Sequence, residues 1–181
     1  MIVRIPPESP GEPSEVWSID FRETAPALSN QTMYENQPMA SRYGGLAVAV
    51  PGELRGLQEA HRRWGTIPWK DLVEPAARLA AGWHVQRELA RRIQVSFGLN
   101  QRFMFTVSSQ IYSSLMLDSP DWSAIFAPQG ILLKEGDRIS RTNYSRTLSV
   151  IAEQGPDAFY NVISAVFPRV PSIDMISGTN R

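Results

Sequence analysis

Ser18-Ile19-Asp20-Phe21-Arg22-Glu23-Thr24-Ala25-Pro26 extends an alternation that begins at Trp17. With a period of two, Trp17, Ile19 and Phe21 fall on one side of an extended chain and Ser18, Asp20 and Arg22 on the other. Packing of the apolar side fixes such a segment and leaves Arg22 directed into a polar space. A guanidinium is a planar fork of donors that can hold a carboxylate through two parallel hydrogen bonds, so the pattern suits an anion-reading residue. The other reading is an ordinary ion pair of Arg22 with Asp20 or Glu23, and spacing alone favours it.

Working outward, residues 1–5 and 16–22 predict two antiparallel strands. The loop joining them, residues 6–15, is broken by prolines and Gly11. Residues 28–42 form a loop rich in Asn, Gln and Pro, and Gly44-Gly45-Leu46-Ala47-Val48-Ala49-Val50 reads as a buried strand ending at Pro51-Gly52. Glu53 opens a helix near its positive end. Leu54, Leu57, Ala60 or His61, and Trp64 recur at helical spacing, and Gly65 supplies the stop. Thr66 is positioned to cap the next helix. Pro75 predicts a short helix, a break and a second helix from near Glu74, ended by Gly82. Val85, Leu89, Ile93 and Phe97 repeat every fourth residue and mark another amphipathic helix. Residues 96–117 fit no single pattern, whereas 142–154 and 156–167 read as two closing helices.

Several of these segments occur together in one family. Asp20-Phe21-Arg22-Glu23-Thr24-Ala25-Pro26 followed by Val50-Pro51-Gly52-Glu53-Leu54-Arg55-Gly56-Leu57 resembles gamma-glutamyltranspeptidase (glutathione hydrolase). Trp64-Gly65-Thr66-Ile67-Pro68-Trp69, Glu74-Pro75-Ala76-Ala77-Arg78-Leu79-Ala80, Gly136-Asp137-Arg138-Ile139 and Gly155-Pro156-Asp157-Ala158-Phe159-Tyr160 are similar to further family segments, in the family's order. The resemblance covers residues 1–161, more weakly between 95 and 128. Residues 162–181 are expected to be a divergent tail.

The resemblance implies an α+β fold, a fragment of the four-layer α/β/β/α sandwich of N-terminal-nucleophile hydrolases, mostly helical with a hairpin and one further strand. It also implies glutathione and other γ-glutamyl compounds as substrates, cleaved with transfer of the glutamyl group to water or to amino-acid and peptide acceptors. In that family a threonine at the start of a small subunit attacks the amide carbonyl, its own amine acts as base and backbone donors hold the oxyanion. That threonine belongs to a partner polypeptide, so no catalytic residue is expected in this chain, which is expected to be trimmed at both ends. Arg22 inherits the grip on the glutamyl α-carboxylate, with Asp20 and Glu23 as carboxylates that orient it. No metal or organic cofactor is implied. The competing expectation is a catalytically inactive chain that serves only as a folded or interacting fragment.

Composition supports a folded protein: 181 residues with 43% hydrophobic content can bury a core. Eighteen basic and eighteen acidic residues leave no net charge, which argues against nucleic acid or an anionic membrane as partner. The absence of cysteine excludes disulfides, a thiol nucleophile and cysteine metal sites, and leaves the compartment open. Pro6, Pro7 and Pro10 interrupt any apolar signal core, and no run approaches the roughly twenty apolar residues that span a bilayer. The family nevertheless implies a secretory route, extracellular or membrane-anchored. Two sequons, Asn30-Gln31-Thr32 and Asn143-Tyr144-Ser145, make Asn30 and Asn143 glycosylation candidates. His61 reads as a solvated helix histidine, and His84 has no ligand-spaced neighbour. Asp118, Asp121 and Asp137 are scattered, and the tryptophans read as core residues.

Overall fold

The computed structural model describes residues 1–42, 44–95, 116–166 and 176–178. In chain order these form β1 (Ile2–Ile5), β2 (Glu15–Ile19), β3 (Glu23–Thr24), β4 (Val50–Pro51), α1 (Glu53–Trp64), α2 (Trp69–Ala80), β5 (Trp83–His84) and α3 (Arg87–Val95). Then come α4 (Pro120–Phe126), β6 (Arg138–Ile139), α5 (Thr142–Gln154), α6 (Asp157–Val166) and β7 (Ile176–Gly178). Two compact units result, Met1–Trp69 with Gln154–Arg181, and Lys70–Glu153.

In the first unit β1 and β2 form the expected antiparallel pair, with Ile2 opposite Ser18 and Ile5 opposite Glu15, and β7 flanks β2 on its other edge. The alternation holds: Ile19 is buried and Trp17 and Phe21 half-buried, while Ser18, Asp20 and Arg22 are exposed. The strand itself ends at Ile19. The chain bends at Arg22, and Glu23–Thr24 takes a new partner, Val50–Pro51, in a two-residue antiparallel ladder. Near the C-terminal end of α1, Trp17 and Trp64 lie 6.2 Å apart, with the Arg63 guanidinium 4.8 Å over the Trp17 ring. This stack ties the helix to β2.

Three local expectations differ from what forms. The run from Gly44 to Val50 is not a buried strand. Gly45–Ala47 makes a 3-10 turn after Gly44 at φ 87°, and Leu46 and Val48 are 52% and 63% exposed. An apolar run becomes a strand only where neighbouring strands accept its hydrogen bonds, and here only Val50–Pro51 finds one. The Leu46 carbonyl instead accepts the Tyr34 hydroxyl at 2.8 Å.

The second difference is α2, which runs unbroken through Pro75. An internal proline removes one backbone bond and costs about 3 kcal/mol in isolation. Tertiary contacts offset that: Ala77 and Ala80 are buried, Ser145 donates its hydroxyl to the Ala77 carbonyl at 2.7 Å, and Lys70 pairs with Glu153 at 2.6 Å. The helix begins at Trp69, three residues beyond the expected cap Thr66. Third, the residue that α1 buries is Gly56, while Leu57 is 39% exposed.

The second unit holds a contiguous apolar core of Val85, Ala90, Ile93, Ala127, Leu132, Leu133 and Ile139, with Leu89 packed against it. Ile93 is fully buried on α3, as the four-residue spacing predicts, and Val85 lies just ahead of the helix. Trp83 pairs with Ile139 in the β5–β6 ladder, and Val85 exchanges backbone bonds with Asp137 (2.8 Å) and Gly136 (2.9 Å). Phe97 and most of the ambiguous segment 96–117 lie outside the described residues, as does most of the tail 162–181. Among the described residues no helix is long and apolar enough to cross a bilayer, and no group of three or more His, Asp or Glu is arranged to hold a metal.

Candidate functional site

Arg22 follows Phe21, and Phe21 sits against the glycines at the start of α1. A Cβ on Gly52 would lie 2.5 Å from the Phe21 carbonyl oxygen, and one on Gly56 would lie 2.1 Å from Phe21 Cγ. Gly52 caps α1 and Gly56 lies one turn on, so the two missing side chains open one continuous notch on a single helix face. The Gly52 N–H then donates to the Arg22 carbonyl at 3.1 Å, and Glu23 lies opposite Pro51. The backbone of Arg22 is thus fixed from both sides.

The helix start is itself held by α6. The Tyr160 hydroxyl donates to the Pro51 carbonyl at 2.6 Å, and the Tyr160 side chain is buried. Burial raises its phenol pKa above the ordinary value, against the lowering effect of Arg55, so the hydroxyl stays a donor. Arg55 pairs with Asp157 and places its guanidinium 4.5 Å from the Tyr160 ring centroid. Segments 20–26, 50–57 and 155–160, far apart in the chain, meet in one unit.

The Arg22 side chain stands out from this base, 87% exposed. Its Nε lies 3.0 Å from Glu23 Oε2, and among the described residues it makes no ion pair with Asp20, which is exposed. The pair with Glu23 engages Nε. The edge formed by Nη1 and Nη2 is the one open to a second carboxylate, in the two-bond geometry that guanidinium favours.

The family profile of gamma-glutamyltranspeptidase matches residues 11–164. The chain belongs to the gamma-glutamyltranspeptidase family. It is 43% identical over 143 residues to the glutathione hydrolase proenzyme of Arthroderma benhamiae, covering 78% of this chain and 22% of that protein. It is 40% identical over 144 residues to glutathione hydrolase proenzyme 1 of Schizosaccharomyces pombe, covering 79% of this chain and 20% of that one. Among solved structures, the gamma-glutamyltranspeptidase of Pseudomonas nitroreducens complexed with L-DON superposes with a TM-score of 0.65 at 26% identity, over 92% of this chain and 44% of that one. The chain therefore spans about a fifth of the length of the curated relatives it matches. The α+β architecture, helices with a few short strands, is that of a gamma-glutamyltranspeptidase fragment.

Within this family member the other singled-out residues take structural places. His61 donates Nε2–H to the Ile67 carbonyl at 2.7 Å and meets Trp69 edge-on at 5.6 Å, closing the turn after α1. His84 lies opposite Arg138 in the β5–β6 ladder. Asn30 is exposed in a loop, and its Oδ1 accepts both the backbone N–H and the hydroxyl of Thr32 at 3.0 Å. Asn143 is exposed in the first turn of α5, and its carbonyl accepts the Thr147 hydroxyl at 3.1 Å. Sequence reasoning missed the roles of Gly52, Gly56, Arg55, Asp157 and Tyr160. One signal was present: a glycine inside a helix, Gly56, costs about 1 kcal/mol relative to alanine, which marks a close approach.

Proposed function

We propose that this chain provides the carboxylate-reading part of an enzyme that cleaves the γ-glutamyl bond of glutathione and related compounds. The enzyme then passes the glutamyl group to water or to an amino-acid or peptide acceptor. The observation that carries the reading is the Arg22 guanidinium, exposed above a carbonyl held by the Gly52 amide, with its Nη edge open. That edge takes the α-carboxylate of the glutamyl group and leaves the γ-carbonyl to a nucleophile on a partner polypeptide. Glu23 orients the fork through Nε. Asp20, on the same exposed side, has the lesser share of that task. The names of the fungal relatives and the family match support the reaction class. In this reading residues 1–161 are the family part and 162–181 a divergent tail, and the match over 11–164 supports the first of these.

The test is glutathione hydrolysis by the 181-residue chain co-expressed with the polypeptide that makes up the rest of a family member. Arg22→Ala and Arg22→Lys are expected to lower kcat/KM for glutathione by about tenfold or more, roughly 1.4 kcal/mol of transition-state binding, with lysine unable to restore the two-bond grip. No hydrolysis by the unaltered assembly, or equal kinetics for wild type and both variants, would overturn the proposal. For a chain routed through a secretory pathway, peptide mapping is expected to find a glycan on Asn30, in its exposed turn, and none on Asn143, wound into α5. The reverse pattern would remove this assignment.

A further inference from the structure

Apart from the Glu23 carboxylate at its Nε, Arg22 is supported by the main chain beneath it, and that support depends on side chains being absent. Phe21 and Arg22 are adjacent, so the seat of one sets the position of the other. The seat is the notch left by Gly52 and Gly56: any β-carbon there would fall 2.5 Å from the Phe21 carbonyl oxygen or 2.1 Å from its ring. The notch also lets the Gly52 amide reach the Arg22 carbonyl at 3.1 Å, so a Phe21 that rides up breaks the bond that holds Arg22. From the far side the Tyr160 hydroxyl holds Pro51, the residue before Gly52, at 2.6 Å. We infer that Gly52, Gly56 and Tyr160 are positioning residues that set the Arg22 guanidinium for the substrate carboxylate, through Phe21 and the helix start. This rests on the reading of Arg22 as the carboxylate grip.

A two-bond pairing tolerates displacement poorly, so the movement of Phe21 that a β-carbon 2.1 Å from its ring demands weakens the grip on a carboxylate without touching the nucleophile. The variants therefore change discrimination for the carboxylate, which a loss of folding alone would not do. The measurement uses the co-expressed assembly and two chromogenic anilides, the γ-glutamyl compound and its decarboxylated 4-aminobutyryl analogue. The ratio of their kcat/KM values reads the carboxylate contact.

Gly56→Ala is expected to lower this ratio by about tenfold, mostly through KM for the glutamyl compound, with kcat within about twofold. Added to Arg22→Ala it is expected to change the ratio no further, because both act on one contact. Tyr160→Phe, which keeps the ring and loses only the hydroxyl, is expected to lower the ratio by about threefold. It carries the test if Gly56→Ala is insoluble. An unchanged ratio in Gly56→Ala and Tyr160→Phe, alongside a lowered one in Arg22→Lys, overturns the inference and leaves the Arg22 reading standing. An unchanged ratio in Arg22→Lys itself removes both.

Discussion

Each of the two units is held by a different kind of interaction within itself. In Lys70–Glu153 a contiguous set of aliphatic side chains is withdrawn from water around Ile93 and Ile139, and backbone bonds between Val85 and residues 136–137 close over it. In Met1–Trp69 with Gln154–Arg181 the buried hydrophobic side chains are Ile19 and Tyr160 among the described residues. There the contacts are single and specific: a ring in a glycine notch, a phenol on a carbonyl, a guanidinium over an aromatic face. Apolar area is additive and forgiving of detail. A notch or a latch is neither, so the unit that carries Arg22 is more sensitive to geometry than to lost area.

That contrast is sharpest at Ile93. Ile93→Ala removes a fully buried side chain from the core and is expected to cost about 2–5 kcal/mol, read as a lower midpoint in urea unfolding of the chain. A cost below about 1 kcal/mol would mean that area is not what holds this unit. Next come the glycines. Gly56→Ala sets a methyl against the Phe21 ring and is expected to destabilise by about 1–3 kcal/mol, although alanine is the better helix former. Gly82→Ala, in the other unit, meets only the far end of exposed Arg138, 2.4 Å from Nη2, and is expected to lie within about 0.5 kcal/mol of wild type. Equal effects in the same unfolding experiment would erase the distinction.

Tyr160→Phe deletes one buried hydroxyl and leaves the Pro51 carbonyl without it, an expected loss of about 1 kcal/mol by thermal unfolding. The smallest effects concern a pattern that occurs in both units, Glu59-Ala60-His61-Arg62-Arg63 and Glu88-Leu89-Ala90-Arg91-Arg92. Each glutamate is clamped by two arginines, and each carboxyl is held down to about 2: Glu59 by hydrogen bonds from Arg62 and then Arg63, Glu88 by Arg91 and then Arg92. A carboxyl lowered in the folded state adds stability that is complete above its unfolded value near 4.5 and is lost as pH falls from there toward 2. Glu59 is 18% exposed beside Arg63 on the Trp17 ring, whereas Glu88 is 64% exposed and screened by solvent. Acid titration of stability is therefore expected to flatten between pH 4.5 and 2 more in Glu59→Gln than in Glu88→Gln. About 1 M salt should abolish the Glu88 share first. A larger change in Glu88→Gln would contradict the role of tertiary context.

Much of this was legible in the chain because it was local. The helix 142–154, the stop at Gly65 and the face of Ile93 follow from spacing and from glycine, and the alternation through Phe21 placed Arg22 on the open side. The Gly44–Val50 run and the break at Pro75 were misread for one reason. Whether an apolar run becomes a strand, or a proline is tolerated in a helix, depends on partners contributed from elsewhere, and neither Tyr34 nor Ser145 announces itself as a partner. At the site the sequence pointed to Arg22 and to carboxylates beside it. Glu23 is the one in contact, through Nε.

From its sequence alone this protein's family, its helix periodicities and the identity of the exposed arginine could be determined, because each is written in residues close together or in motifs whose order survives. Tertiary structure decided how that arginine is held. Phe21 meets Gly56 across 35 residues, and Tyr160 reaches Pro51 across 109. Contacts of such separation depend on how the whole unit closes, and a space kept for a neighbour's ring looks, in one dimension, like any other glycine.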